Sequence, residues 1–105
     1  MVKHVNGKEL NGLINTADVP VFCDFWASWC GPCRMLAPVF EELSEQYDGK
    51  AIFVKLDIDE NEEAAIQYGI TSIPNVLAFK DGAQVGGHLG FAPQAVLEEF
   101  IKKYL

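Results

Sequence analysis

The chain has 105 residues and half of them are hydrophobic, which is enough for one domain with its own apolar core and no stabilising metal or disulfide. Fifteen acidic and eight basic residues give a formal charge of -7, which argues against nucleic acid or an anionic membrane surface as partner, because both need a basic face. No stretch has the length of an apolar membrane helix, and the N-terminal residues lack the apolar run of a signal peptide. We therefore expect one domain over residues 1–105 in the cytoplasm.

The first half of the chain predicts two helices that alternate with strands. MVKHV at the N-terminus is typical of a weak edge strand, and Asn6 can cap a helix because Glu9 follows at the capping-box spacing. VPVFCDFWA (19–27) is nearly all apolar, as in a strand covered on both faces. Residues 31–47 predict an amphipathic helix, because apolar residues recur there with helical spacing at Leu36, Val39, Phe40, Leu43 and Tyr47.

The second half predicts a strand, a short helix, a hairpin and a terminal helix. AIFVKLDID (51–59) is rich in β-forming residues, and NEEAAIQY before Gly69 indicates a short helix that ends in glycine. NVLAFKDGAQVGGHL contains Asp81-Gly82, which is typical of a hairpin turn. Pro93 opens the last helix, whose predicted apolar side comprises Val96, Leu97, Phe100, Ile101, Tyr104 and Leu105.

This order of elements predicts an α/β fold. Strands that alternate with helices favour a parallel sheet with helices on both faces, and the hairpin adds an antiparallel edge. In such sheets the working site lies at the carboxyl ends of the strands. Cys30 stands there, between the strand of residues 19–27 and the helix of residues 31–47.

Two cysteines, Cys30 and Cys33, stand three apart with only Gly31 and Pro32 between them. If the helix begins just after Cys30, that residue is the N-cap, and Pro32 is tolerated because first-turn N–H groups have no partner within the helix. Residues at this spacing share a helix face and lie close enough to form a disulfide. The spacing therefore predicts a reversible dithiol.

The two sulfur atoms are predicted to have different roles. A Cys30 thiolate at the N-cap can accept the Cys33 N–H, and this hydrogen bond favours the ionised form more than the helix dipole does. We therefore expect Cys30, exposed at the helix tip, to be the nucleophile. Cys33, one turn further in, is expected to be the resolving thiol.

Other chemistries find less support in the sequence. Zinc usually takes four ligands, and Cys23, His4 and His88 do not stand at ligand spacing, although a zinc site shared between two chains stays open. The glycines at 86, 87 and 90 do not form a dinucleotide-binding motif, so direct binding of a dinucleotide has no support in the sequence. Cys23 is expected to be a buried core thiol, and the two histidines to lie at the surface.

Asp24 breaks the pattern of its strand. A carboxylate is costly to ionise in a strand covered on both faces, and Lys55 is the matching oddity in residues 51–59. Alternation along the strand puts Asp24 on the face opposite to Cys23. Two interpretations stay open: a structural ion pair with Lys55, or an acid tuned by burial to serve the dithiol.

The segment DFWASWCGPCRMLAP (24–38) resembles the active site of the thioredoxin family. VKLDID, YGITSIP, FKDG and the terminal helix follow in the order expected for that family, so the resemblance covers nearly the whole chain. It implies the thioredoxin fold, a central mixed sheet of about five strands flanked by about four helices. It also implies a protein-disulfide reductase with no bound cofactor, whose redox-active group is the Cys30–Cys33 disulfide.

The resemblance also implies roles for single residues. Cys30 would attack a substrate disulfide, Cys33 would release the mixed disulfide, and Asp24 near Lys55 would serve proton transfer at Cys33. Pro74 would be a cis proline that faces the cysteines. The docking surface for substrates would comprise Trp29, Ile73, Pro74, Gly90 and the adjacent Phe91.

The partners implied are disulfide-containing proteins and an NADPH-dependent thioredoxin reductase, and we expect a monomer. The chain departs from the family pattern at Asn75, where threonine is usual, and at Phe91, where a small residue is usual. A disulfide oxidase or isomerase of the same fold is disfavoured, because such proteins commonly carry histidine between the cysteines. A non-catalytic accessory subunit stays open.

Overall fold

The computed structural model describes residues 1–105 and contains five strands and four helices in the predicted order. None of the helices is both long and apolar enough to cross a membrane. In chain order the elements are β1 (Lys3–His4), α1 (Gly7–Thr16), β2 (Val21–Trp26), α2 (Gly31–Gln46), β3 (Ile52–Asp57), α3 (Glu62–Gln67), β4 (Asn75–Lys80), β5 (Ala83–Leu89) and α4 (Gln94–Lys102).

The five strands form one mixed sheet in the order β1-β3-β2-β4-β5. β1 and β2 both run parallel to β3, whereas β4 is antiparallel to β2 and β5 is antiparallel to β4. The central strand β2 is buried over its first five residues, which explains its nearly uninterrupted apolar sequence. The predicted thioredoxin fold is confirmed.

Two apolar cores cover the two faces of the sheet. One core contains Phe22 of β2 and packs it against residues of α2 and α4, such as Leu36 and Leu97. The other core contains the next residue, Cys23, together with Leu10 of α1 and Ala64 of α3. Adjacent residues of a strand point to opposite faces, so β2 supplies side chains to both cores in turn.

Local signals in the sequence account for several boundaries of the elements. At the start of α1, Asn6 Oδ1 accepts the Glu9 N–H at 2.8 Å and Glu9 Oε1 accepts the Asn6 N–H at 2.9 Å, which is the predicted capping box. Between β4 and β5, Asp81 and Gly82 both adopt positive φ angles, 54° and 81°. Positive φ at both central residues is the requirement of the predicted two-residue hairpin.

A bulge in β5 lies directly before the Gly86-Gly87 pair, and glycine in a strand interior is typical of such a bulge. Ala78 pairs with Gly86 but Phe79 pairs with Gln84, so Val85 is the extra residue. A Cβ atom at Gly86 would collide with the ring of Tyr104. Glycine at this position therefore allows the residues after α4 to pack against the edge strand.

The predicted apolar side of the last helix was too wide. Leu97, Phe100 and Ile101 are buried as expected, but Val96 is 50% exposed and Leu105 is 44% exposed. A helix turns by about 100° per residue, so Val96 lies at the margin of the stripe that the other three form. Leu105 lies beyond the end of α4 at Lys102.

Candidate redox site at the start of α2

The two cysteines lie where the central strand passes into a helix. β2 ends at Trp26, and after a short turn Cys30 forms the N-cap of α2 with an extended backbone (φ -89°, ψ 110°). Gly31 and Pro32 are the first two helical residues, as the spacing predicted. The site therefore lies at the carboxyl end of β2.

A disulfide joins Cys30 and Cys33, whose Cα atoms are 5.2 Å apart. This separation is within the ordinary range for disulfides, so one helical turn brings the two sulfur atoms together without backbone movement. The Cys33 N–H also donates to Cys30 Sγ at 3.2 Å. Cys30 thus replaces the usual oxygen of an N-cap side chain with sulfur.

The expectation that Cys30 is exposed was wrong. Cys30 retains only 5% of its surface and Cys33 only 2%, because both pack in a small apolar cluster with Ala27. Trp26, Ile58 and Ile73 cover this cluster further. Cys30 is still more exposed than Cys33, as predicted, but a substrate must reach Cys30 through a small opening.

The segment that holds Pro74 faces the cysteines. The Ile73–Pro74 peptide bond is cis, as the resemblance implied, and the Ile73 carbonyl oxygen lies 3.9 Å from Cys30 Sγ. The Pro74 carbonyl oxygen accepts the Gly90 N–H at 2.7 Å. The connection before β4 and the connection after β5 therefore meet beside the disulfide.

Two aromatic residues stand out from the surface around the site. Trp29 is 66% exposed and its Nε1 donates to Asp59 Oδ2 at 2.8 Å, which ties the residue before Cys30 to the loop after β3. Phe91 is 41% exposed and follows Gly90. Trp29 therefore lies at the rim of the site and outside the core.

A cleft of about 450 Å³ opens beside Cys30. Two apolar residues of its walls, Ile58 and Ile70, are not among the site residues predicted from the sequence. Ile58 could have been found, because it directly follows β3 and the carboxyl ends of adjacent parallel strands meet at one edge. The cleft is lined by Trp29, Cys30, Gly31, Pro32, Ile58, Ile70, Thr71, Ser72 and Ile73.

Asp24 is a buried acid on β2, on the face opposite to Cys23 as predicted. It is 1% exposed, and its Oδ1 atom has no hydrogen-bond partner. Burial raises the pKa of the Asp24 carboxyl from its ordinary 3.8 to about 7, and the charge of Lys55 opposes only part of that rise. Cys23 itself is a free, fully buried thiol in the core, and burial raises its pKa as well.

Lys55 is the neighbour of Asp24 across the β2–β3 ladder. The structural ion pair left open by the sequence is not formed, because the only salt bridge in the chain joins Lys102 and Glu98. Lys55 Nζ lies instead 4.3 Å from the centroid of the Trp26 ring. Asp24 and Lys55 also line a cavity of about 290 Å³. Its other lining residues are Val2, His4 of β1, and Ala37, Pro38, Phe40 and Glu41 of α2.

No group of three or more His, Cys, Asp or Glu side chains is arranged to hold a metal ion. His4 is exposed on β1 with its ring edge against Trp26, at 5.9 Å between centroids. His88 lies on the edge strand β5 against the ring of Phe100. Both histidines thus pack against aromatic rings.

Comparison with known proteins agrees with this geometry. A family model described as Thioredoxin matches residues 1–103. Thioredoxin 1 of Nostoc sp. is 51% identical over 89 residues, which are 85% of this chain and 83% of the relative. The thioredoxin of Bacillus subtilis is 49% identical over 90 residues, 86% of each chain, and that of Staphylococcus saprophyticus is 54% identical over 82 residues, 78% of this chain and 79% of the relative. The chain therefore belongs to the thioredoxin family, as a thiol–disulfide oxidoreductase that reduces protein disulfides through a redox-active disulfide between Cys30 and Cys33.

Proposed function

We propose that Cys30 is the nucleophile of the reductase and Cys33 its resolving cysteine. The observation that carries this assignment is the hydrogen bond from the Cys33 N–H to Cys30 Sγ at the N-cap of α2. When the disulfide is reduced, a backbone donor aimed at Cys30 Sγ favours a thiolate on that sulfur atom. Cys33 lies inside the first turn and has no comparable donor.

The proposed cycle moves two electrons from the dithiol to the substrate. The Cys30 thiolate attacks one sulfur of the substrate disulfide, so a mixed disulfide forms and one substrate thiolate leaves. Cys33 then loses its proton and attacks Cys30 Sγ, which releases the second substrate thiolate and forms the Cys30–Cys33 disulfide. The substrate is reduced and the pair is oxidised.

Asp24 is proposed to accept the proton that Cys33 loses in the second step. A general base works best when its pKa lies near the working pH, and the Asp24 carboxyl, with a pKa of about 7, meets that condition. Its unpartnered Oδ1 atom and the cavity beneath Ala37 and Pro38 of α2 leave room for a bridging water. Lys55, beside it in β3, is proposed to keep the ionised form accessible.

Substrate proteins are proposed to dock around the opening at Cys30. Trp29, Ile73 and Phe91 offer apolar contact area, and Pro74 and Gly90 join the two connections beside the disulfide. Gly31 and Pro32 are proposed to keep the small opening at Cys30 Sγ uncovered, since neither carries a polar side chain. Asn75 and Phe91, where the chain departs from the family pattern, are proposed to tune substrate preference.

The proposed working form is one monomeric domain, residues 1–105, in the reducing cytoplasm. Thioredoxins in general act on protein disulfides and are reduced by thioredoxin reductase, so the proposed electron donor is such a reductase. The nicotinamide then belongs to the partner. In this position the chain would carry electrons from the reductase to disulfide-containing proteins.

Two measurements test the proposed function. The protein should accelerate the reduction of insulin with dithiothreitol as donor. A non-catalytic accessory subunit would give only the rate measured with dithiothreitol in the absence of protein. Equilibration with glutathione should give a reducing potential. The reference values are near −270 mV for thioredoxin itself and near −180 mV for protein disulfide isomerase. A potential in the second range would favour the oxidase or isomerase.

A further inference from the structure

Negative charge is concentrated next to one wall of the cleft beside Cys30, although no acidic residue lines the cleft itself. Ile58 and residues 70–73 form that wall. The chain segment around them, residues 56–79, contains five acidic side chains but no lysine or arginine. Two apolar wall residues, Ile58 and Ile70, belong to this segment. The acidic residues, here called the acidic flank, are Asp57, Asp59, Glu60, Glu62 and Glu63.

The acidic flank begins directly at the redox site. Ile58 packs against the cysteine cluster, and its N–H donates to the Trp26 carbonyl oxygen at 3.0 Å. The next residue, Asp59, accepts the hydrogen bond from Trp29 Nε1. Apolar contact and negative charge are therefore offered side by side to anything that approaches Cys30.

The acidic flank has more negative charge than the one lysine beside it can balance. Lys8 lines a depression together with Asp59, Glu60, Glu62 and Glu63, but it forms no salt bridge with them. Arg34, on the first turns of α2, donates from Nη1 to the Ser28 carbonyl oxygen at 3.0 Å. Glu60, Glu62 and Glu63 are exposed, so their charges act outward from the protein.

On the basis of the proposed function, we propose that the cleft and the acidic flank form one charge-selective docking surface. The substrates it favours are protein disulfides with an apolar residue beside one cysteine and lysine or arginine nearby. The apolar residue fills the cleft between Trp29 and the isoleucines. The basic residues face the acidic flank, and substrates with acidic residues in that place are repelled.

The expected effect is electrostatic, so it should depend on salt. Charges on a protein surface change association rates by roughly 10- to 1000-fold at low ionic strength, and the Debye length falls from about 30 Å at 0.01 M to about 8 Å at 0.15 M. Neutralising three of the five acids should therefore reduce the preference for a basic substrate by about three- to tenfold at low salt.

The test compares two triple variants that lose the same amount of charge. The first carries Glu60→Gln, Glu62→Gln and Glu63→Gln, and it keeps Asp57 and Asp59 because both accept hydrogen bonds within the protein. The control carries Glu42→Gln, Glu45→Gln and Asp48→Asn, which are exposed near the far end of α2. At 1.5 Å per residue, Glu42 and Glu45 lie about 17 and 21 Å along the helix from Gly31.

Each protein is assayed with two disulfide peptides and one small disulfide. The peptides share a leucine beside one cysteine and differ in two flanking positions, Lys in one and Glu in the other. Hydroxyethyl disulfide, which is small and uncharged, reports on the reactivity of Cys30 without docking. Thermal unfolding verifies that both variants remain folded.

The unmodified protein should reduce the lysine peptide with a kcat/KM at least tenfold above that of the glutamate peptide at low salt, and the ratio should shrink at 0.15 M. The flank variant should lose three- to tenfold of this ratio, and the control variant should keep it. Equal kcat/KM values for both peptides in the unmodified protein, or equal losses in both variants, would overturn the proposal. Failure to reduce even hydroxyethyl disulfide would instead overturn the proposed function itself.

Discussion

The interior of β2 and the start of α2 both contain buried cysteines, yet only the start of α2 forms a redox pair. Cys23 is 0% exposed, and Cys30 and Cys33 are 5% and 2% exposed. Cys23 lies among apolar side chains, beside the fixed backbone of a central strand, and it has no cysteine within reach. Cys30 has a backbone donor at 3.2 Å and a partner one helical turn away.

The difference shows that burial alone does not decide the reactivity of a thiol. In the strand every N–H is committed to a neighbouring strand, so a buried sulfur there finds no donor and its thiolate is penalised. At a helix start the first N–H groups have no partner within the helix. A sulfur atom at the N-cap can therefore be buried and still be stabilised as a thiolate.

The largest expected effect comes from removing the sulfur atoms at the start of α2. Cys30→Ser should reduce insulin reduction to the rate of dithiothreitol alone, because the attacking thiolate is gone. Cys33→Ser should also stop turnover, but it should accumulate mixed disulfides with substrate proteins on Cys30. Mass spectrometry of trapped complexes locates the attachment.

Cys30→Ser serves as the matched control, since it should capture no substrate through the remaining Cys33. Substrates attached mainly to Cys33 would show that the proposed roles are reversed. Stable capture through Cys23 would contradict the conclusion that only the cysteines at the start of α2 react, because a core thiol would then contact substrate.

The second largest effect concerns Asp24, which is the neighbour of Cys23 in the interior of β2. The folded protein holds its carboxyl at a pKa of about 7 instead of 3.8. At 1.36 kcal/mol for each unit of pKa, this corresponds to about 4 kcal/mol. The folded state binds this proton more tightly than the unfolded state does. The contribution of the Asp24 carboxyl to the free energy of unfolding is therefore most favourable below about pH 4, and it is lost as the pH rises from about 4 to 7.

Asp24→Ala removes this penalty and should raise the free energy of unfolding at pH 8 by about 2–4 kcal/mol, since the cavity left by the side chain offsets part of the gain. At pH 4 the gain should vanish or change sign. Urea unfolding at the two pH values measures the difference. A gain of the same size at both would mean that the carboxyl does not titrate in this range. The same variant should slow release of the mixed disulfide in stopped-flow reduction.

Local signals made the fold and the two cysteines predictable from the sequence. The capping box of Asn6 and Glu9, the Asp81-Gly82 turn and the helical spacing after Cys30 depend on residues close in the chain, and all three predictions are confirmed. The cis proline and its contact with the cysteines came only from the resemblance to the family, because a proline in sequence does not reveal its isomer.

Features of the site that depend on segments distant in the chain were less predictable from the sequence. The burial of Cys30 results from Ile58 and Ile73, which the sheet topology brings over the helix start. The position of Lys55 over the Trp26 ring likewise depends on side-chain packing, so the sequence left the ion pair with Asp24 open. Val96 is a further example, because the helical periodicity of the sequence places it near the apolar side of α4 but does not show whether it is buried there.

Adding a hydrogen-bond donor at the start of α2 should change the redox potential of the cysteine pair. Pro32 is exposed and brings no N–H, so the Gly31-Pro32 pair contributes little to a Cys30 thiolate. Pro32→His restores one backbone donor and places an imidazole near the sulfur. A charge-assisted hydrogen bond is worth roughly 1.5–3 kcal/mol, and about 30 mV corresponds to 1.4 kcal/mol for a two-electron couple.

The potential of the Pro32→His variant should therefore become more oxidising by at least about 30 mV, measured by equilibration with glutathione. Thiolate absorbance against pH shows whether ionisation of Cys30 becomes easier at the same time. Pro32→Ala is the control, because it restores the N–H without the imidazole. Easier ionisation with an unchanged potential would mean that the disulfide form is stabilised equally, which contradicts this account of Gly31 and Pro32.

The smallest effect on activity is expected at Cys23, the thiol in the interior of β2. Cys23→Ala removes one buried sulfur atom from the core on the α1 and α3 side of the sheet, so the free energy of unfolding should fall by about 1–2 kcal/mol. Insulin reduction per folded molecule should stay within about twofold, because the strand gives this thiol neither a donor nor a partner. Cys23→Val, which refills the space, should recover part of the stability and leave turnover unchanged. If both variants fold and yet lose most of their activity, the interior of β2 takes part in the redox step, and the separation between the two regions does not hold.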